Sequence, residues 1–489
     1  MNVQQEKTTL LGTQSVEFSG QHRCLCNRTV KLCVIPLILI ALAVGCGLAL
    51  NYYLPRHQPA HHVPSHKCTD FCTLTLVETI PQNLTFGQNE TIHVPTGQSL
   101  LDLINIAEHT IEIASYYWTL RGIDLSYHDD TSKEGERLFD ALMNAGQNRN
   151  IKLKIVQNVP SKDYNDNDTA LLASQGKAEV RTINFTRLIG SGIIHTKMWL
   201  IDRKHFYVGS ANLDWRSLTQ VKELGVIVRN CSCLATDMGK IFDVYWQLAV
   251  NDATIPKQWN PQLSTFINDA NPEFVQYNNT KGTLYLSSSP PQLCPPGRTT
   301  DIDSILSVIK NAKYFVSVAV MDYFPTTLYS YPRKYWAIID DALRDAAFNR
   351  HVSVRVLASY WNHTAPDMLY FLRSLQSINM HIPVGKRNKT LHVNVEVKIF
   401  EVPVYTESQR KIPYARVNHN KYMVTDKHAY IGTSNWSGDY FISTGGIGFI
   451  LNQTNINKTS DNLRLQLHNV FERDWYSIYS HPLDNYITV

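Results

Sequence analysis

A polar string written twice, in register, constrains this chain of 489 residues more than any other feature. The first copy is His195-Thr-Lys197, four residues, Asp202, six residues, then Gly209-Ser-Ala-Asn212. The second is His419-Asn-Lys421, four residues, Asp426, five residues, then Gly432-Thr-Ser-Asn435. The surroundings repeat as well. Apolar runs at 111–118 and 316–323 end in aromatics (Trp118, Tyr323), and runs at 151–156 and 352–357 each follow a charged amphipathic stretch (132–147 and 336–348). Duplication on this scale means two copies of one folding unit. Strands alternating with helices predict an α/β fold, with one sheet flanked by helices in each half. On a strand, His and Lys two apart share a face. Gly209 and Gly432 are expected to permit a tight turn that returns Asn212 and Asn435 toward the lysines.

The length suggests two or three domains. Residues 32–50 carry no charge and reach about 28 Å as a helix, enough for a bilayer. Arg23, Arg28 and Lys31 precede that segment, so the positive-inside rule puts its N-terminal side in the cytosol. The expected layout is a cytosolic tail at 1–31, a transmembrane signal-anchor at 32–50 and a Pro/His-rich lumenal stalk at 51–67. The first half follows at 68–255, a connector at 256–300, and the second half at 301–489. The tail holds Glu6-Lys7-Thr8-Thr9-Leu10-Leu11, an acidic residue ahead of a leucine pair, the form of signal read by endosomal adaptor complexes.

Beyond the anchor, Asn-x-Ser/Thr occurs at Asn83, Asn89, Asn167, Asn184, Asn230, Asn278, Asn362, Asn388, Asn435, Asn452 and Asn457. This density predicts a glycoprotein. Cys68, Cys72, Cys231, Cys233 and Cys294 lie on the oxidising side. Cys231 and Cys233 sit two apart on a predicted strand, a poor geometry for bonding each other. The expectation is therefore disulfides from Cys68 and Cys72 to Cys231 and Cys233, with connectivity open and Cys294 left over.

The double string resembles the mark of the phospholipase D superfamily. The wording around both copies is similar to its branch of lysosomal, type II membrane 5′-3′ exonucleases, members 3 and 4. The resemblance covers roughly residues 68–480 and implies two pseudo-symmetric halves with the active site at their interface. It implies a phosphodiesterase in which His195 attacks phosphorus and His419 is the proton donor. Lys197, Lys421, Asn212 and Asn435 then hold the non-bridging oxygens. Four such donors replace a metal, so neither metal nor cofactor is expected. Glu223 stands where the superfamily often has a carboxylate behind a catalytic His, and the matching place in the second half is Gly446. Glu223 is accordingly expected to support His195. Asp202 and Asp426 belong to the catalytic string, although in the superfamily such aspartates are more often structural.

With Lys+Arg 46 against Asp+Glu 42 the net charge is only +4. That argues against gripping a long duplex by charge and suits an enzyme that holds one strand end. The branch implies single-stranded DNA or RNA as substrate, removing nucleic acid that triggers innate sensing. Trp118 and Tyr323 are candidates to stack a base, with core packing as the other use. A phospholipid hydrolase or transphosphatidylase using the same intermediate is the alternative. The partners implied are the nucleic-acid strand, the membrane, an adaptor complex at the tail, and a second copy of the chain. The expected route runs through endoplasmic reticulum, Golgi and endosome to the lysosome, with cleavage of the stalk releasing a soluble form.

Overall fold

Both polar strings run into alternating apolar residues, and both become strands. The computed structural model describes residues 68–487 apart from 126, 128, 162–164, 278–279, 385–388 and 455–461. The tail, the predicted anchor at 32–50 and the stalk lie outside the described residues. No described helix is long and apolar enough to cross a membrane.

In the first half, β1 (Phe71–Thr79), β2 (Thr110–Ser115), β3 (Lys152–Asn158), β4 (Glu179–Ile183), β5 (Lys197–Ile201), β6 (His205–Gly209) and β7 (Glu223–Arg229) form one sheet. Its order is β1-β7-β6-β5-β2-β3-β4, antiparallel from β1 to β2 and parallel from β2 to β4. Helices α1 (Thr96–Ile106), α2 (Lys133–Gln147) and α3 (Ser232–Leu248) belong to this half.

The second half repeats it. Its strands are β8 (Glu273–Tyr277), β9 (Thr280–Ser289), β10 (Phe315–Val320), β11 (Ser353–Tyr360), β12 (Val395–Glu401), β13 (Lys421–Thr425), β14 (His428–Gly432) and β15 (Gly446–Asn452). The order β9-β15-β14-β13-β10-β11-β12 matches the first sheet strand for strand. Its helices include α4 (Asp301–Asn311), α5 (Ile338–Phe348) and α6 (Leu463–Tyr476). At one edge β8 pairs with β9, and β1 runs parallel to β8 over Phe71 and Cys72, joining the sheets.

Strand alternation decides which faces meet. Met198 and Leu200 of β5, and Tyr422 and Val424 of β13, enter one shared cluster with Met238 and Phe242 of α3 and Phe471 and Trp475 of α6. Trp199 and Ile201 point the other way, onto α1 and α2, and Met423 onto the side of α4 and α5. Burying each such side chain contributes roughly 1.5–3 kcal/mol. Because the inner layer is common property, the halves form a single compact unit, Lys67–Val489.

Three local expectations need correction. The stretch 256–300 is more than a connector, since it holds β8 and β9, and β9 is the counterpart of β1. Cys231 and Cys233 stand at the N-terminus of α3, with Cys231 as its N-cap, and not on a strand. The disulfides are Cys68–Cys233 and Cys72–Cys231, so the start of β1 is stapled to the start of α3. Gly209 and Gly432 end β6 and β14 instead of opening a turn. Gly209 faces Gly225 and Gly432 faces Gly448 across their strand pairs. A Cβ at Gly209 would strike Tyr207, and one at Gly432 would strike Tyr430. Close approach, not left-handed backbone, is what these glycines serve.

Candidate active site

Each HxK string places its lysine at the first residue of a strand, β5 or β13, with the histidine just ahead of it. The two histidines are then anchored by the opposite half. The His195 N–H donates to Gly445 O and the His419 N–H to Lys222 O, both at 2.8 Å. These acceptors immediately precede the equivalent residues Gly446 and Glu223. The sites thus interlock about a pseudo-twofold axis, each half holding the other's histidine.

The side chains break that symmetry. His419 Nδ1 meets the Glu223 carboxylate at 2.9 and 3.1 Å. His195 Nδ1 meets the main-chain carbonyl of Thr433 at 2.9 Å. Glu223 therefore serves His419, not His195, which corrects the sequence-based expectation. The carboxylate lies on a strand of its own half, but the histidine it reaches comes from the other half. The second copy has no room for an equivalent, because a Cβ at Gly446 would collide with the hydroxyls of Ser434 and Ser289.

A carbonyl only accepts, so His195 carries its proton on Nδ1 and leaves Nε2 with a free lone pair. Burial first, then Lys197 and Lys421, hold the His195 ring well below its ordinary value and keep it neutral. Burial also lowers His419, but Glu223 opposes this and supplies the charge that an imidazolium needs. Burial pushes the Glu223 carboxyl up, yet His419 and Lys421 outweigh it and hold the group below its usual range.

Both lysines are sealed inside, at 0% and 1% exposure. Their Nζ atoms donate to the carbonyls of His195 (2.7 Å) and His419 (2.6 Å), which aims them back toward the histidines. Burial lowers Lys197 well below a free lysine, and pulls Lys421 down to about 7 against the opposing charges of Glu223 and Asp322. An anion bound beside these buried lysines would favour their charged forms.

Asn212 and Asn435 return to the same edge of their sheets. Asn435 Nδ2 donates to Asp322 Oδ2 (2.8 Å) and to the Tyr440 hydroxyl (3.2 Å). Asn212 Nδ2 donates to the Tyr117 hydroxyl at 3.4 Å. Tyr117 and Asp322 are equivalent positions, each two residues beyond the strand residue paired with the site lysine. Burial pushes Asp322 up to about 6, against the pull of Lys421. Asp322, Tyr117 and Tyr440 were not singled out from sequence. The available signal was an ionisable residue closing the apolar run at 316–323.

Asp202 and Asp426 are not brought to this site. They follow the far ends of β5 and β13, roughly 16 Å from the lysines at about 3.3 Å per residue. The Asp202 carboxylate accepts from the N–H groups of Glu108, His109 and Thr110 at 2.6–2.8 Å. Asp426 likewise accepts from Lys313 and Tyr314 at 2.8 and 3.1 Å. Each ties down the corner between a helix and the neighbouring strand. Trp118 and Tyr323 are also excluded as stacking platforms, being 1% and 2% exposed within the core.

A cavity of ≈ 390 Å³ opens onto His195 between Tyr116 and Ile193 of the first half and Tyr329 and Tyr440 of the second. The His195 and Tyr440 ring centroids are 5.0 Å apart, and those of Tyr329 and Tyr440 6.1 Å. Of the sequons, Asn83, Asn89, Asn167, Asn230 and Asn362 are exposed, Asn184 and Asn452 half-buried, and Asn435 is buried. Asn278, Asn388 and Asn457 lie outside the described residues.

A family model described as "PLD3/4, PLD-like domain" matches residues 87–405. The 5′-3′ exonuclease PLD3 of Xenopus laevis is 49% identical over 414 residues, covering 85% of this chain and 82% of the relative. The 5′-3′ exonuclease PLD3 of Xenopus tropicalis is 45% identical over 470 residues, covering 94% and 93%. The 5′-3′ exonuclease PLD4 of Mus musculus is 43% identical over 418 residues, covering 85% and 80%. Among solved structures, the phosphatidylserine synthase of Haemophilus influenzae Rd KW20 aligns with a TM-score of 0.50 at 10% identity, over 80% of this chain and 86% of that one. That last likeness concerns the fold alone.

Proposed function

The chain belongs to the PLD3/4, PLD-like domain family, and from that premise we propose that it is a 5′-3′ exonuclease of single-stranded DNA or RNA. It is a phosphodiesterase whose two histidines divide the work. The observation that carries the mechanism is their unlike partners: a carbonyl behind His195 and a carboxylate behind His419.

His195 Nε2 attacks phosphorus in line, and the bond from phosphorus to the leaving oxygen breaks. The His419 imidazolium gives that oxygen its proton. His419, now neutral, takes a proton from water. The resulting hydroxide cleaves the P–N bond of the phosphohistidine, which restores neutral His195 and protonated His419. Lys197 and Lys421 offset the charge that builds on the non-bridging oxygens, and the Asn212 and Asn435 amides are neutral hydrogen-bond donors at the same edge. Nucleophile and acid keep the roles expected from sequence, but for another reason: Glu223 stabilises the acid, not the nucleophile.

Single-stranded nucleic acid is favoured by the aromatic walls beside His195, since ring faces stack bases of any sequence. The test incubates purified protein in EDTA near pH 5, with labelled single-stranded DNA in one arm and phospholipid vesicles in the other. Stepwise shortening from the 5′ end without lipid turnover is expected. Lipid turnover alone would overturn the reading, and loss of activity restored by a divalent ion would overturn the metal-independent mechanism.

The same reading makes the chain a lysosomal glycoprotein anchored as a type II membrane protein. The charge-free segment 32–50, the sequons and the two disulfides support it. Replacing Leu10 and Leu11 by Ala is expected to move the protein to the cell surface, and an unchanged distribution on imaging would reject the tail signal.

A further inference from the structure

Beside the cavity, the chain from Pro325 to Trp336 folds back on itself. Thr326 bridges Tyr335, the Thr327 N–H donates to Lys334 O at 2.8 Å, and the Trp336 N–H donates to Pro325 O at 2.9 Å. The tip of this hairpin is pinned from below. The buried carboxylate of Asp439 accepts from the N–H groups of Leu328 and Tyr329 and from the Ser330 hydroxyl. Asp439 precedes Tyr440 in the short helix Gly438–Ile442, so one turn of chain holds both the hairpin and a wall of the cavity.

A hairpin held this firmly has a use for rigidity, yet its three tyrosines are exposed, while Leu328 and Trp336 pack against the core. Tyr329 is 62% exposed, Tyr331 84% and Tyr335 76%. Single exposed apolar residues are ordinary, but three rings on one short ribbon are not. Lys334 lies among them and is exposed, as is Arg333, whose guanidinium is paired with Asp367. Rings interleaved with cations on a preorganised ribbon match what a single strand needs, which is faces for its bases and positive charge for its phosphates. The surface is also continuous with the reaction site, because Tyr329 lines the cavity that contains His195.

We propose that this tyrosine hairpin is a track for the substrate strand, which stacks bases beyond the reacting phosphate on Tyr331 and Tyr335. The proposal rests on the nuclease reading above. It predicts that the enzyme turns over long strands more efficiently than short ones, and that the hairpin is the source of the difference.

The test compares wild type with Tyr331→Ala/Tyr335→Ala in the full-length protein. Substrates are single-stranded DNA of about 2 and about 30 nucleotides, below and above what such surfaces cover, with bis(p-nitrophenyl) phosphate as reference. The Ala pair is expected to raise KM for the long strand by roughly 10-fold or more, given the usual worth of a stacked base. The long-strand kcat/KM should fall by that factor relative to the reference substrate measured on the same preparation. Tyr331→Trp/Tyr335→Trp should keep the preference for length. Retention of that preference in the Ala pair would overturn the proposal. So would a change of solution mass in the Ala pair without a change in length dependence, which would make the hairpin a contact between copies of the chain. Failure of wild type to shorten any oligonucleotide while hydrolysing the reference substrate would instead strike the nuclease reading itself.

Discussion

At the scale of single residues, the site is a set of charges whose protonation states must coincide. His195 must be neutral to attack, while His419 and Lys421 must carry protons. Burial lowers Lys421 to about 7, so its charge is present below that pH and lost as pH rises through it. His419 is lowered as well, with burial the largest cause, and loses its proton on the same side. Glu223, held below its ordinary value, remains a carboxylate in mild acid. The kcat/KM profile is therefore expected to be highest in mild acid and to fall on the alkaline side by about tenfold per pH unit where one of these protons is lost, steepening toward about a hundredfold where both are. A plateau extending to about pH 9 would contradict this assignment of protons. Asn435 is claimed both by a sequon and by the site. Its amide donates to Asp322 and Tyr440 from a position 2% exposed, and a glycan has no space there. Glycopeptide mass spectrometry of active protein should find Asn435 bare and some of the exposed sequons occupied, whereas high occupancy at Asn435 would remove it from the site. The histidines, lysines and asparagines were legible because two copies in register rarely arise by chance. The partner of Glu223 was not, because a sequence shows which half a carboxylate belongs to but not which half's histidine it touches.

Secondary-structure elements divide the polar string into chemistry at one end of a strand and architecture at the other. Asp202 gathers three backbone N–H groups at the corner before β2, and an anionic acceptor there is worth about 1.5–3 kcal/mol per bond lost, less what water recovers. Asp202→Ala should lower the stability measured by denaturant unfolding by about 2–3 kcal/mol, with kcat per folded molecule changed less than about tenfold. A loss comparable to that of a histidine variant, about 10³-fold, would return Asp202 to the catalytic group. The strand β9 was hidden for a related reason. Its last residues are serines with structural tasks, Ser287 bonding to Asp301 and Ser289 to the carbonyls of Tyr440 and Thr444. A buried strand whose hydroxyls are used in this way lacks the apolar pattern by which β10 and β11 were recognised. The CxC pair misled in the opposite direction, since the first turn of α3, Ser232-Cys-Leu-Ala, has no acidic residue and Cys231 makes no side-chain cap, so nothing local marks a helix start there.

For the whole molecule, the shared inner layer and a buried charge cluster make the two halves one object. Lys222 meets Asp474 at 2.7 Å with both side chains at 0% exposure, and Arg473 meets Glu78 at 2.7 Å. Lys222 also lends its carbonyl to the His419 N–H, so the seam between halves and the active site are the same structure. Removing one partner of such a buried pair strands the other, at a typical cost of 3–5 kcal/mol. Asp474→Ala is accordingly expected to lower the midpoint of thermal unfolding by several degrees while unfolding stays a single transition. Separate transitions for the two halves would contradict the shared core. The duplication was visible in the sequence as a repeat, but the interlocking was not, because it depends on which faces of two separate sheets meet. The central claim is that the interlocked pair is asymmetric, with His195 as nucleophile and His419 as acid and base. The most direct measurement uses His419→Ala with a phosphodiester whose leaving group needs no proton, such as bis(p-nitrophenyl) phosphate, quenched in base and mapped by peptide mass spectrometry. The mechanism predicts a phosphoryl adduct on His195 that accumulates because no base activates water. In His195→Ala no adduct should form, and one found on His419 there, or none on His195 in the first variant, would contradict the account.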